Sequence, residues 1–223
     1  MSNFLKLSFD CDPKGPYPPG IPTPIIGIFT SLDAGDIANQ YVITLCNHTG
    51  THVDAPAHVV KGGAGICDFD ISEFVYESTF CLFLDLNDTE LIYSKHIEKY
   101  DKAISKSDLL LMITGYDKYR ETEPDRYRIK GPGFSVEVAK YIINKFPNLK
   151  ALGLDTISLA AIEHLEEGMK AHKILLGGAG KHFLIYEAMN LEHVKKNLKQ
   201  VIAMPFFIKG FDGAPCTIIG ITK

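Results

Sequence analysis

Metal-binding residue types are concentrated in one short segment of the chain. Within residues 48–58, three histidines and one aspartate are separated by even numbers of positions; they are His48, His52, Asp54 and His58. Residues at even offsets share one face of an extended chain, whereas a helix would turn the later two away from the first two. The spacing therefore predicts a strand over residues 41–46 that runs into a rigid, extended loop carrying these four side chains on one face.

The residue types indicate what this face does. Imidazole nitrogens and carboxylate oxygens are ligands for zinc and other first-row divalent metals. His48, His52 and Asp54 supply three protein ligands, and a catalytic zinc site commonly has three and leaves a position for water, which then ionises near neutral pH. His58 is the candidate general acid/base, because it shares the face but lies four residues beyond the aspartate. The alternative, a chance cluster of surface or core histidines, explains one histidine more easily than three.

Size and composition restrict the class of protein. The chain has 223 residues, a net charge of −4 and five cysteines. This length predicts a single domain, residues 1–223. The acidic balance disfavours nucleic acid as a partner, and no apolar run reaches the roughly 18 residues of a membrane helix. Because the cysteines are odd in number and form no C-x-x-C pair, we expect reduced thiols and a cytoplasmic protein.

Strands and helices must position the histidine-rich segment. Strands are predicted over residues 4–9, 79–84, 108–114, 149–154, 200–205 and 215–222. Ser135 is expected to cap a helix that runs to about residue 146, because apolar residues recur there with helical spacing. A strand, a helix and a strand in this order indicate a βαβ unit with parallel strands.

Three further segments receive weaker predictions. Residues 94–102 are expected to form a helix capped by Ser94. Residues 118–133 are rich in charge, proline and glycine, which predicts an exposed excursion. Phe206 and Phe207 are expected to be core residues.

The histidine-rich segment also resembles a known family. Residues 48–58 fit the pattern H-x-G-T-H-x-D-x-P-x-H at every fixed position. The pattern is similar to that of the metal-dependent cyclase family, which includes bacterial kynurenine formamidase (arylformamidase) and isatin hydrolase. The resemblance implies an α/β fold with a mixed, partly curled sheet flanked by helices, of the swivelling β/β/α type. It also implies homodimers or homotetramers whose N-terminal arms reach the partner's site.

The resemblance points to ligands outside this segment. Family members with two metals use a later histidine and a glutamate, and the aligned positions here are His172 and Glu187. His182 and His164 are rivals for the histidine. With two ions, Asp54 is expected to bridge them, because a carboxylate holds both cations and offsets their repulsion.

Aromatic residues are candidates for the substrate pocket. The proline-rich arm, about residues 12–24, is similar to a family element that helps to form the pocket. Arylformamidases have a tryptophan there; this chain has none, and Tyr17 or Phe29 could substitute for it. Tyr116 lies in a segment that resembles the family's T-G-W/Y-D element, at the end of a predicted strand, where α/β sheets carry their sites.

These residues together predict a metal-dependent hydrolase of a small amide, formamide, lactam or lactone, acting on carbon–nitrogen bonds other than peptide bonds. Zinc is the favoured ion and manganese the alternative, since mixed nitrogen and oxygen ligands suit both; one or two ions per subunit are compatible with the sequence. Two other functions use the same residues. One is a cyclase or dehydratase with the same metal, and the other is a binding protein without catalysis.

Overall fold

The computed structural model describes residues 3–178 and 182–222. The strands are β1 (Phe4–Lys6), β2 (Ile25–Thr30), β3 (Gln40–Thr44), β4 (His52–Asp54), β5 (Val75–Tyr76), β6 (Thr79–Phe83), β7 (Leu91–Ile92), β8 (Leu109–Ile113), β9 (Gly133–Phe134), β10 (Ala151–Leu154), β11 (Leu184–Glu187), β12 (Gln200–Pro205) and β13 (Gly213–Ile221). The helices are α1 (Asp101–Ile104), α2 (Tyr119–Thr122), α3 (Pro124–Ile129), α4 (Val136–Lys145) and α5 (Leu165–Gly177).

Nine of these strands form one mixed sheet. Its order is β5-β12-β13-β4-β11-β10-β8-β6, and β1 pairs with β13 outside that path. The strands β6, β8, β10 and β11 are parallel, whereas β4 runs antiparallel to both of its neighbours. Residues 77–78 join the two ends of the order, β5 and β6, so the sheet curls towards closure. The predicted mixed, partly curled α/β sheet is confirmed.

The parallel half is buried on both faces, as parallel sheets generally are. All five residues of β8 are buried. Leu110 and Met112 belong to the core beneath α4 and α5, while Leu109, Leu111 and Ile113 belong to the core enclosed by the curled sheet. The predicted βαβ unit is present as β8, α4 and β10.

The cap of α4 agrees with its prediction. The Ser135 side chain accepts a hydrogen bond from Val138 N at 3.1 Å, which satisfies an amide that has no partner within the helix. The buried residues of α4 lie at the spacing that predicted the helix, and they are Val138, Ala139, Ile142 and Ile143.

The strand predicted over residues 41–46 is only partly correct. It is β3, but β3 pairs with β2 in a separate hairpin and does not belong to the main sheet. Every residue of β3 is exposed. The apolar sequence of β3 suggested burial, yet nothing within the described part of this chain covers it.

Three other predictions need correction. In the segment 94–102, where the sequence predicts a helix capped by Ser94, residues 94–100 form two 3₁₀ turns and the short helix α1 begins at Asp101; the residue at the N-cap position of the first turn is Tyr93. Residues 118–133 contain α2 and α3 and bury Arg120 and Tyr127, so this segment is not a simple exposed excursion. Phe206 and Phe207 are 63% and 43% exposed, because they follow the last residue of β12 and leave the core.

Long apolar helices are lacking from the described ranges 3–178 and 182–222, where no helix has the length and hydropathy needed to cross a bilayer.

Candidate metal and catalytic site

The short strand β4 lies at the centre of the site. It is inserted between β11 and β13, and its residue His52 lies directly opposite Glu187 of β11. His52 and Asp54 are two positions apart on a strand, so their side chains point to one face. Both are buried, at 3% and 1% exposure. Strand parity therefore aligns His52 with Asp54, and one cross-strand pair brings Glu187, 135 positions further along the chain, beside them.

The single extended face predicted for residues 48–58 is present only within β4. His48 lies in a turn at residues 47–48, and Gly50 reverses the chain with a φ of +65°. His58 ends a 3₁₀ turn that begins at Pro56. These turns, and not a shared parity, bring the rings together: the ring centroids of His48 and His58 are 4.1 Å apart.

A glycine in the neighbouring strand makes room for His48. A Cβ placed on Gly213 would lie 2.5 Å from Cε1 and 3.0 Å from Nδ1 of the His48 ring. Contacts this close are repulsive, so only glycine at position 213 allows the ring to rest against β13.

The two carboxylate oxygens of Asp54 face two different groups of possible ligands. Its Oδ1 lies 2.8 Å from His48 Nδ1 and 3.4 Å from His52 Nε2. Its Oδ2 lies 3.7 Å from His172 Nε2, which is in turn 3.0 Å from Glu187 Oε1. Each group contains enough nitrogen and oxygen atoms for three ligands. The arrangement has the form expected of a carboxylate shared between two cations.

Helix α5 delivers His172 to the second group. A Cβ on Gly168 would lie 2.4 Å from Ala160 Cα, so a glycine there allows α5 to approach the preceding loop closely. The ring nitrogen Nδ1 of His172 donates to Gly168 O at 3.1 Å. In the same way, Nδ1 of His52 donates to Gly50 O at 2.9 Å. A carbonyl can only accept, so both rings are held with Nε2 towards the carboxylates, as in many metal sites.

The rival histidines lie elsewhere. His164 is exposed near the start of α5. His182 is half exposed, with Nδ1 3.5 Å from Glu73 Oε2 and its ring packed against Phe69. Neither is brought to Asp54, whereas His172 is.

The electrostatics of the site favour a bound cation. Burial opposes ionisation of Asp54 and Glu187, but the neighbouring histidines outweigh this effect and lower both pKa values. Burial likewise opposes charge on His48 and His172, yet the adjoining carboxylates raise the pKa to about 9 for His48 and about 10 for His172. Two ionised carboxylates in a buried site require compensating positive charge. Together with the fixed imidazoles, they fit one or two divalent cations.

Glu187 is also anchored by backbone and hydroxyl donors. Leu159 N donates to Oε1 at 2.7 Å, and Ser158 Oγ donates to the same oxygen at 3.1 Å. These bonds fix the carboxylate at the end of β11. Ser158 and Leu159 thus lie directly behind the second ligand group.

Asp212 is a functional candidate that the sequence did not reveal. Its Oδ2 lies 3.0 Å from His58 Nδ1 and 3.2 Å from His48 Nε2, while Asn47 Nδ2 donates to its Oδ1 at 2.6 Å. The residue stands in an ordinary turn before β13, and no motif marks it. Only the pairing of β13 with β4 brings it to the histidines. The group His48, His58 and Asp212 is a third set of atoms close enough to hold a cation.

A narrow pocket adjoins the first ligand group. It is lined by Tyr17 and both prolines beside it, by His48 and His52, and by residues of α2 and α3; its members are Pro16, Tyr17, Pro18, His48, Gly50, His52, Arg120, Tyr127, Ile157 and Ala188. Tyr17 is therefore beside the candidate ligands, where its hydroxyl donates to Asp12 O at 2.5 Å. The proline-rich arm reaches the site of its own chain.

Tyr116 lies one layer further from the ligands. It packs with Tyr127 and Ile157, which line the pocket, and its hydroxyl donates to Asp88 Oδ1 at 2.7 Å on the far side. Phe29 is on the exposed hairpin and is 70% exposed. Of the three aromatic candidates, the structure places only Tyr17 in the pocket wall.

Comparison with known proteins decides the family. The family model described as putative cyclase matches residues 5–161, more than half of the chain. The chain belongs to the cyclase family. Among its relatives, this cyclase-family chain is 28% identical over 190 residues to a kynurenine formamidase of Bacillus anthracis, covering 84% of this chain and 82% of that protein. It is 30% identical over 116 residues to an uncharacterised protein of Haemophilus influenzae, covering 52% of this chain and 82% of the relative.

Solved structures share the fold of this cyclase-family chain. Isatin hydrolase A from Labrenzia aggregata, bound to benzyl benzoate, superposes with a TM-score of 0.83 at 21% identity, covering 99% of this chain and 94% of that one. A predicted metal-dependent hydrolase from Bacillus stearothermophilus gives a TM-score of 0.76 at 22% identity over the full length of both chains.

Proposed function

We propose that the protein is a metal-dependent hydrolase that cleaves a carbon–nitrogen bond other than a peptide bond in a small amide, formamide or lactam, with lactones as a related class. The observation that carries the proposal is the position of Asp54, whose two oxygens face two separate groups of histidine and carboxylate atoms. The kynurenine formamidase relatives support the same reaction class.

Five side chains are assigned as ligands. His48, His52 and Asp54 hold one ion, and Asp54, His172 and Glu187 hold a second. When bound, a divalent cation supplies Lewis acidity, which lowers the pKa of water and offsets the negative charge that develops on a carbonyl oxygen. Zinc is the favoured ion and manganese the alternative, since both accept this mixture of ligands.

His58 is assigned as the general acid/base. Its Nδ1 is held by Asp212 Oδ2 at 3.0 Å, so Nε2 is the atom that takes the proton from the attacking water and returns it to the leaving nitrogen. Asp212 keeps the ring in one orientation and stabilises its protonated form. A carboxylate beside a catalytic histidine has this role in other hydrolases.

The hairpin of β2 and β3 is assigned as a dimer contact. Isoleucine, phenylalanine and valine side chains on it are exposed, among them Ile28 at 71% and Phe29 at 70%. An isolated two-stranded hairpin is marginally stable in water, and a large exposed apolar patch marks an interaction surface. A second copy of this chain covers the hairpin in the proposed homodimer, and a homotetramer extends the same contact.

A cytoplasmic location completes the proposal. All five cysteines are free in the structure; two of them, Cys81 and Cys216, are buried, where burial raises the pKa of each thiol. Free, buried thiols fit a reducing compartment.

The function is tested by metal analysis combined with a hydrolysis screen. Purified protein is stripped with a chelator, reloaded with zinc or manganese, dialysed and analysed for bound metal. N-Formylkynurenine, isatin and simple lactones are then supplied, and the products are identified by mass. We expect one or two ions per chain and a product that has gained water. A protein that binds metal but adds no water to any of these compounds contradicts the proposal, and loss of water from the substrate would indicate a dehydratase.

A further inference from the structure

A buried arginine beside the ligand groups has no partner for its charge. Arg120 of α2 is 6% exposed. Its guanidinium stacks on the ring of Phe9, with Cζ 4.4 Å from the ring centroid. Among the residues that the structure describes, it forms no ion pair and no hydrogen bond. Burying an unpaired charge is costly, and stacking on an aromatic face leaves the in-plane N–H groups of an arginine free to bind an anion.

A glycine accommodates the tip of this side chain. A Cβ on Gly15 would lie 3.1 Å from Nη2 and 3.5 Å from Nη1 of Arg120. The guanidinium thus rests against the backbone of the proline-rich arm on one side and against Phe9 on the other. Its position is fixed by packing, which preorganises it for a ligand.

A second buried polar group lines the same pocket. Tyr127 of α3 is 1% exposed, and its hydroxyl oxygen is buried without a hydrogen-bond partner in the described residues. Burial raises the pKa of Tyr127 far above its ordinary value, so the hydroxyl is a neutral donor. Buried hydroxyls are nearly always bonded, and one that is unbonded and faces a pocket is available to a ligand.

Both groups share the pocket with the candidate metal ligands. Arg120, Tyr127, His48 and His52 line one cavity. The cavity is only about 10 Å³, room for about one water, so a molecule with its reacting carbonyl at the histidines reaches the guanidinium and the phenol by displacing residues 16–18 of the arm, which line the cavity. The arginine carries the charge and the tyrosine adds a directional donor.

We propose that Arg120 and Tyr127 form a recognition site for a carboxylate of the substrate, so that the hydrolase acts on small amides or lactams that carry a carboxylate in addition to the scissile bond. This inference rests on the proposed function and specifies its substrate class. The planar fork of arginine matches a carboxylate through two parallel hydrogen bonds.

A single negative charge fits better than a phosphate. One guanidinium is the only unpaired positive side chain in this pocket among the residues described, and the ionised carboxylates Asp54 and Glu187 lie in the same site. A phosphate with nearly two negative charges would be repelled more strongly and would need further cationic partners.

Binding of a product-like carboxylate tests the site without catalysis. The probes are 2-aminobenzoate and its neutral counterpart 2-aminobenzamide, titrated by calorimetry into wild type, R120Q and Y127F. Each protein is measured with and without zinc, because a carboxylate also coordinates metal. We expect R120Q to weaken 2-aminobenzoate binding about 10- to 100-fold and Y127F about 3- to 10-fold. Binding of the benzamide should change by less than about threefold in R120Q.

Two further variants separate charge, geometry and folding. R126Q removes the same charge from α3, where Arg126 pairs on the surface with Asp88 and Glu123, and it should bind like wild type. R120K keeps the charge but loses the fork, so it should restore only part of the affinity. Circular dichroism and melting curves identify a variant that has not folded; if R120Q fails to fold, R120K and Y127F still decide the question.

The outcomes for this site and for the proposed function differ. The carboxylate site is overturned if wild type and the Arg120 variants bind 2-aminobenzoate equally. It is also overturned if the preference for 2-aminobenzoate over 2-aminobenzamide depends on zinc but not on Arg120. Tighter binding of inorganic phosphate than of 2-aminobenzoate overturns the choice of ligand. Hydrolysis of the neutral methyl ester of 2-formamidobenzoate by wild type tests the proposed function alone. If the ester and 2-formamidobenzoate are both untouched while binding still depends on Arg120, the hydrolase proposal fails and the carboxylate site stands.

Discussion

Replacement of His58 by alanine separates a general acid/base from a metal ligand. The ring of His58 is partly exposed at 26% and contacts Asp212 through one hydrogen bond. It belongs to neither of the two ligand groups that share Asp54. His58→Ala should therefore keep bound metal and lose turnover.

The size of the loss follows from the role. General acid/base catalysis contributes roughly 10²- to 10⁴-fold in rate, which corresponds to about 2.7–5.5 kcal/mol of transition-state stabilisation. Loss of one hydrogen bond to a carboxylate at a partly exposed position should cost only about 1–2 kcal/mol of unfolding free energy. The variant should thus fold, bind metal and turn over slowly.

The assay compares three quantities in the same preparations. Metal content is measured by elemental analysis, and the melting temperature is measured by circular dichroism. The constants kcat and KM are measured on the best substrate of the hydrolysis screen. His182→Ala is the matched control, because His182 is half exposed and distant from Asp54. Asp212→Asn should lower kcat by about 10- to 100-fold, since it removes the charge that orients the ring.

Two results would refute this reasoning. If His58→Ala hydrolyses the substrate at the parent rate, His58 is not the acid/base. If it loses metal along with activity, His58 is a ligand together with His48 and Asp212, the third group that the structure permits.

Three further predictions concern packing, pH and assembly. Gly213→Ala should displace the His48 ring, because the new Cβ would lie 2.5 Å from it. Metal affinity, measured by competition with a chelating dye, should fall about 10- to 100-fold. An unchanged affinity would show that the ring can move without loss of metal binding. In the metal-free protein, the pKa values of His48 and His172 are raised from 6.5 to about 9 and about 10. The stability that their protonated forms contribute is therefore fully present below pH 6.5 and is lost as the pH rises through 9 to 10. The melting temperature should fall over that range, and a melting temperature that does not change with pH would contradict the charge assignment. Ile28→Lys combined with Phe29→Lys should convert the proposed dimer to monomer in light scattering, and a dimer that persists would exclude the hairpin as the contact.

The predicted fold was correct where local patterns and burial agree. The apolar run of β8 predicted a buried strand, and the capped, periodic segment after Ser135 predicted α4. The apolar strand β3 shows the opposite case. An apolar sequence predicts that a strand is buried, but it does not show which surface covers the strand. Nothing within the described part of this chain covers β3.

The sequence by itself determined the chemistry of the centre. The residue types at His48, His52 and Asp54, with His58 nearby, make these side chains candidate metal ligands and a candidate base without any knowledge of the fold. Strand parity also placed His52 and Asp54 on one face. The resemblance to the cyclase family added His172 and Glu187.

Only the tertiary structure decided which distant groups join them. Asp212 reaches His58 because β13 pairs with β4, and Arg120 reaches the pocket because a segment that reads as exposed folds into α2 and packs on Phe9. Neither residue stands in a local pattern, since each is positioned by contacts between segments far apart in the chain. Local spacing can select the ligands of a metal, but the partners of the base and the recognition of a substrate depend on how strands and helices pack.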